Sequence, residues 1–193
     1  MPADHPILRL LADITARNNA VIEFHFDVVA QDMEIPAELA SGANPAKLTA
    51  NLPELERLLA HNRQARIVWA HAGSDMLGHW TVELSRRMLK EHPNLYMSLR
   101  MGPGRQPQNF PLTQSGGVKP EWRSLLEEYS DRFVIGGDQF FVAPGQRGGH
   151  AVTVSQRSGV MRQRINRFLA ALPEPLARKI GYENAIRIYR IKE

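Results

Sequence analysis

AVIEFHFDVV, residues 20–29, is an apolar run broken at alternate positions by Glu23, His25 and Asp27. Alternate side chains of an extended chain point to opposite faces, so Ile22, Phe24, Phe26 and Val28 form one face and the three polar residues share the other. Three further runs carry the same kind of pattern: RIVWAHAG (66–73), LYMSLRM (95–101) and FVIGGD (133–138). By the same alternation Val68, Ala70 and Ala72 oppose Trp69, His71 and Gly73. Leu95, Met97 and Leu99 oppose Tyr96, Ser98 and Arg100, and Phe133 and Ile135 oppose Val134, Gly136 and Asp138. One face calls for helices. The other collects His25, His71, Arg100 and Asp138 at the ends of their strands. A parallel sheet buried on both faces has near-continuous apolar strands, so this polar lining fits the interior of an α/β barrel, whose chemistry sits at the C-terminal strand ends.

Helical patterns separate the strands, which argues for parallel βα units. Asp4 and Pro6 open a first helix in which Ile7, Leu8, Leu11 and Ile14 recur at helical spacing before Asn18 and Asn19 end it. Residues 30–50, rich in Ala, Pro, Gly and Asn, form a long connection with a short helical piece that sits over the strand end. Asn51 and Pro53 start a helix with a stripe of Leu55, Leu58 and Leu59, and another runs from about His79 to Glu91. MGPGRQPQNFPLTQSGG (101–117) is a Gly/Pro-rich loop, KPEWRSLLEEYS (119–130) a helix, and residues 139–151 a second Gly-rich loop. The remainder is helical, in pieces divided at Pro173, Pro175 and Gly181. A closed barrel needs eight strands and about 250 residues. With four strands in 193 residues, the expectation is an α/β, TIM-barrel-like half-barrel forming a single domain over 1–193.

Composition narrows the chemistry. Hydrophobic residues make up 43% and charged residues 23%, which suits one sizeable core. The formal charge of +4, from 24 basic and 20 acidic residues, is too small to indicate nucleic acid. With no cysteine, disulfides, thiolate metal sites and cysteine nucleophiles are excluded, and His, Asp and Glu remain as the strong metal ligands. This fits a reducing, cytoplasmic setting. No apolar run approaches the length of a membrane span, and Met1 to Leu11 lacks the basic and apolar regions of a signal peptide.

Several polar residues have plainer readings. Glu23, deeper along its strand, suits an ion pair or the core, and Asp27 suits a helix cap in the next loop. Arg100 is open between a substrate carboxylate clamp and a structural ion pair. His79 reads as a helix-start residue and His150 as a solvated loop residue. GQRGGH (145–150) is a superficial phosphate cradle, because it lacks the Lys-Ser/Thr of a P-loop. Arg157, Arg162, Arg164, Arg167, Arg178, Lys179, Arg187 and Arg190 form a solvated basic face without the interleaved aromatics that stack bases.

Taken in order, the strand ends at His25, HAG at His71 and GGD at Asp138, with the closing ENAIRIYRI (183–191), resemble the C-terminal half of the amidohydrolase superfamily. The amidohydrolase-2 group is the most similar branch; it includes metal-dependent hydrolases and decarboxylases like aminocarboxymuconate-semialdehyde decarboxylase. The resemblance covers nearly the whole chain and corresponds to strands five to eight of that barrel. It implies that His25 is the strand-five metal ligand, His71 the strand-six histidine and Asp138 the strand-eight aspartate. The H-x-H pair of the family's first strand has no counterpart in this sequence.

A divalent ion, zinc by expectation, held by imidazole and carboxylate lowers the pKa of bound water to about 7 and polarises a carbonyl. The expected roles are metal ligation by His25 and Asp138, acid–base work by His71 and Asp138, and substrate binding by Arg100. The expected reaction is metal-assisted hydrolysis of a small carbonyl, amide or ester compound, with nonoxidative decarboxylation as the alternative. Two protein ligands fall short of the three usual for catalytic zinc. The chain is therefore expected to need a missing half, a second copy or ligands beyond these two, or else to be a non-catalytic truncated chain or a subunit needing a partner. Two open sheet edges and a half-lined interior favour association.

Overall fold

The computed structural model describes residues 1–42, 44–102, 108–138 and 151–192, with the backbone alone over 151–158. Most of the second Gly-rich loop, including GQRGGH and His150, and the side chain of Arg157 lie outside the described residues. In chain order the elements are α1 (Pro6–Arg17), β1 (Val21–His25), β2 (Met33–Glu34), β3 (Lys47–Leu48), α2 (Leu52–His61), β4 (Arg66–Ala72) and α3 (Val82–Glu91). Then come β5 (Leu95–Leu99), α4 (Pro120–Glu128), β6 (Phe133–Ile135), α5 (Ala151–Ala170), α6 (Glu174–Arg178), a π-helical turn (Lys179–Glu183) and α7 (Asn184–Tyr189). Gly181 thus lies within a π turn that joins two helices; it does not separate them.

The expected α/β class and the four parallel strands are present: β1, β4, β5 and β6 pair in that order, all parallel. Helices supply the crossovers that parallel strands require. The connection after β1 holds a short 3-10 turn at Ala37–Leu39 and also the antiparallel pair β2–β3, which the composition of that segment did not announce.

The register assigns the two faces. Phe24 pairs with Trp69 and Trp69 with Met97, so these three share the face carrying Ile22, Ile67, Leu95, Leu99 and Phe133. All belong to the main core, with Leu55, Leu58 and Leu59 of α2, Met88 and Leu89 of α3, and Trp122, Leu125 and Leu126 of α4. Trp69 therefore faces the helices, which corrects the assignment by simple alternation. The reason is a β-bulge: Ala70 pairs with Ser98 but Ala72 with Leu99, so His71 is an extra residue that resets the alternation. Its φ of 77° is the local signature of that irregularity.

The opposite face carries Val21, Glu23, His25, Val68, Ala70, Tyr96, Ser98 and Val134. It is not left open along its whole length. Ile188, Ala185 and Tyr189 of α7 pack on Val68, Val134, Val21 and Tyr96, filling the end nearer the strand N-termini. Two polar anchors hold α7 there. The buried Asn184 amide donates to the carbonyls of Ser130 and Phe133, each at 2.8 Å. Glu23 accepts from Tyr189 Oη at 2.6 Å and from Ser98 Oγ at 2.8 Å. Glu23 thus joins β1, β5 and α7 through neutral donors, where an ion pair or core role was expected. A Cβ on Gly136 would lie 2.6 Å from Ser98 Oγ, so glycine is required where β6 leaves the sheet beside that serine.

Candidate functional site

The C-terminal ends of β1, β4 and β5 and the residues after β6 bring His25, His71, Arg100 and Asp138 together, as the sequence led one to expect. His25 reaches this end by regular alternation. His71 reaches it through the bulge, with a left-handed backbone that glycine adopts freely and that asparagine, aspartate and histidine enter more readily than other residues. Gly73, at φ 82°, fixes the turn behind it, since a Cβ there would meet the Pro111 ring at 2.6 Å.

The side chains form a chain of contacts. His25 Nδ1 and His71 Nδ1 are 2.8 Å apart. On the outer side of the pair, His25 Nε2 lies 3.0 Å from Asp27 Oδ2. On the other side His71 Nε2 lies 3.7 Å from Asp138 Oδ2, which receives Arg100 Nη2 at 3.0 Å. Arg100 Nη1 points to Ser74 Oγ at 3.4 Å. Asp27 is therefore a histidine partner and not the helix cap expected. The next helix has Asn51 at its N-cap position, and Asn51 Nδ2 instead donates to the Asp27 carbonyl at 2.8 Å. The expected helix-start role of His79 is also replaced: α3 begins at Val82 behind a Thr81 cap, and His79 Nδ1 accepts the Ala30 amide at 3.1 Å. The contribution of Asp27 was visible in principle, because His25 and Asp27 lie two apart on one strand face.

Proton positions follow from this network. An ionised carboxylate only accepts, so Asp27 fixes the proton of neutral His25 on Nε2 and leaves Nδ1 as an acceptor. His71 must then donate from Nδ1, leaving its Nε2 as the free base toward Asp138. The hydrogen bond from Asp27 raises the His25 pKa above the ordinary imidazole value, against the opposing pull of burial, and the same bond lowers Asp27. Burial lowers His71, with the Asp138 charge offsetting part of the effect. In a two-dimensional NMR titration downward from about pH 8, His25 is expected to protonate above and His71 below about pH 6.5, the ordinary histidine value. The opposite order, assigned with single His→Gln variants, would contradict the network.

Above these groups lies a cavity of about 800 Å³ lined by His25, Asp27, His71 and Arg100 and by apolar residues that include Phe26, Leu39 and Phe110. Its volume falls in the range of small-molecule sites. Two imidazole nitrogens facing each other, each with its far nitrogen next to a carboxylate, have the donor chemistry and outer support of metal-ligating histidines. They fit as two ligands of a divalent ion. Among the described residues no group of three His, Asp or Glu side chains is placed to share one. Asp138 is engaged by Arg100 and approaches the far side of His71. The basic residues of the C-terminal helices lie largely on the surface, as expected, but Arg164 is half-buried, with its guanidinium 5.7 Å from the Phe110 ring centre. No helix among the described residues is long and apolar enough to cross a membrane.

Comparison with solved structures finds a 2.4 Å crystal structure of dihydroorotase from Campylobacter jejuni, 14% identical with a TM-score of 0.47; the match covers 98% of this chain and 54% of that one. The chain thus spans about half the length of that protein. No curated protein sequence matches. An amidohydrolase family model matches residues 6–191, and with its parallel sheet and polar strand ends the chain belongs to the amidohydrolase family.

Proposed function

We propose that the chain carries the C-terminal half of a barrel-type amidohydrolase site and serves the hydrolysis of a C–N or C–O bond in a small carbonyl, amide or ester compound. The observation that supports this most is the 2.8 Å approach of His25 Nδ1 and His71 Nδ1, with Asp27 and Asp138 beyond their outer nitrogens. His25 and His71 would hold a divalent ion, zinc by preference, and when bound that ion supplies an acidified water and a Lewis acid at the carbonyl. Asp27 holds the His25 ring and its tautomer. With an ion on both Nδ1 atoms the His71 proton would sit on Nε2 facing Asp138, so Asp138 would steady the His71 ring as Asp27 steadies His25 and would be the carboxylate placed to take a proton from the attacking water and return it to the leaving group. Arg100 orients Asp138 and lines the cavity where a substrate carboxylate would bind. The third ligand comes from outside the described residues.

The full chain, loaded with zinc and dialysed, is expected to bind one ion per site. His25→Ala and His71→Ala should each weaken binding about 10- to 100-fold. Zinc titration by competition with a chromogenic chelator measures this, and hydrolysis of a panel of small amides and esters reports activity. Unchanged zinc affinity in the double variant, together with no turnover of any panel member by the wild type, would sink the proposal.

A further inference from the structure

Of the periodic apolar residues Ile7, Leu8, Leu11 and Ile14 of α1, Leu8 alone packs on the core. Leu8, Ala12, Thr15 and Ala16 turn toward the sheet, with Ala12 and Thr15 buried. Asp13 turns toward α2 and meets His61 Nε2 at 3.1 Å and Asn62 Nδ2 at 2.8 Å. Ile7, Leu10, Leu11 and Ile14 lie on the remaining flank, 61%, 56%, 39% and 39% exposed. At 100° per residue this flank is the side of α1 away from α2, so it continues the side of the molecule on which β1 is the last strand of the sheet.

The stripe is a palindrome in sequence: isoleucine at both ends, leucines at the centre, symmetric about the midpoint between Leu10 and Leu11. A two-fold axis through that midpoint would bring Ile7 against Ile14 of a second copy and Leu10 against Leu11 of a second copy, the self-complementarity an isologous contact requires. It would also set the two helices antiparallel, the favourable arrangement of their dipoles. The four side chains expose roughly 400 Å² of contiguous apolar surface, within the size range of functional patches on monomers. Two such stripes would bury roughly 800 Å², which places the contact among weak, concentration-dependent interfaces. None of the four positions carries a charge to oppose the contact.

We propose that the chain forms a two-fold homodimer through this face of α1. The absence of cysteine gives a clean test. Under mild oxidation, full-length Leu10→Cys should cross-link to itself, because position 10 lies beside the axis. Position 7 is displaced from its own copy by about 10 Å along the helix, so Ile7→Cys alone should remain uncross-linked. An equimolar mixture of Ile7→Cys and Ile14→Cys chains should cross-link. In light scattering the wild type is expected at twice its 21.8 kDa mass. Leu10→Asp should weaken the dimer about 100-fold, with circular dichroism showing the fold retained. A wild type that stays monomeric up to about 100 μM, a dimer indifferent to Leu10→Asp, or equal cross-linking at positions 7 and 10 overturns the assignment.

Discussion

Trp69→Ala is expected to lower the unfolding free energy by about 3–5 kcal/mol, the range for removing a fully buried large aromatic. The indole is inaccessible, stacks on Trp80 at 3.8 Å between ring centres, and meets the Phe26 ring edge-on at 6.0 Å. Its Nε1 donates to the Phe26 carbonyl at 2.8 Å, tying the exit of β1 to the middle of β4. Truncation leaves a cavity between sheet and helices and a carbonyl without its donor. Trp69→Phe keeps most of the apolar volume and loses the hydrogen bond, so its cost should be smaller, about 1–3 kcal/mol. Chemical denaturation followed by circular dichroism separates these outcomes. Because whole domains are stable by only about 5–15 kcal/mol, the alanine variant should be close to unfolding at physiological temperature. A loss below about 1 kcal/mol would mean that Trp69 lies on the open, polar face, where alternation alone would put it.

That difference shows how far this sequence can be read. β1 declares its faces, because Glu23, His25 and Asp27 alternate with aromatic and aliphatic residues. β4 does not: Ile67, Val68, Trp69 and Ala70 are all apolar. Counting back from His71 gives the wrong side, since one bulged residue reverses every position before it. The same bulge leaves His71 itself at the site, so the ligand candidate was legible while the strand that delivers it was not. The stripe of α1 was equally visible as a period. A period says that a face exists and not what covers it, and Ile7, Leu11 and Ile14 are exposed here. The packing of α7 on the inner face is not legible in the sequence either, because ENAIRIY has the pattern of any amphipathic helix. Its placement depends on pairings distant in sequence, Asn184 with the Phe133 carbonyl and Tyr189 with Glu23.

Replacing His71 should separate stability from function. At φ 77° a side chain with a Cβ sits in the left-handed region, at a cost of about 1–2 kcal/mol that glycine does not bear. His71→Gly is therefore expected to be more stable than His71→Ala by about that amount in urea denaturation. Both variants should lose zinc affinity and any hydrolysis together. The pH dependence adds a second readout. The His71 pKa is lowered in the folded protein, so its contribution to stability is fully present above the unfolded value of about 6.5 and is lost as pH falls toward the folded value. His25 acts in the opposite sense: its raised pKa contributes stability at low pH that is lost as pH rises through the folded value. Removing His71 should abolish the acid-side loss and leave the alkaline one. A His71→Gly chain more stable than the wild type would show that the imidazole is held against the backbone's own preference, as happens where strain is stored at functional sites. Equal stability of the glycine and alanine variants would mean instead that the bulge imposes no strain, and His71 could then be traded for alanine with the loss of its ring alone.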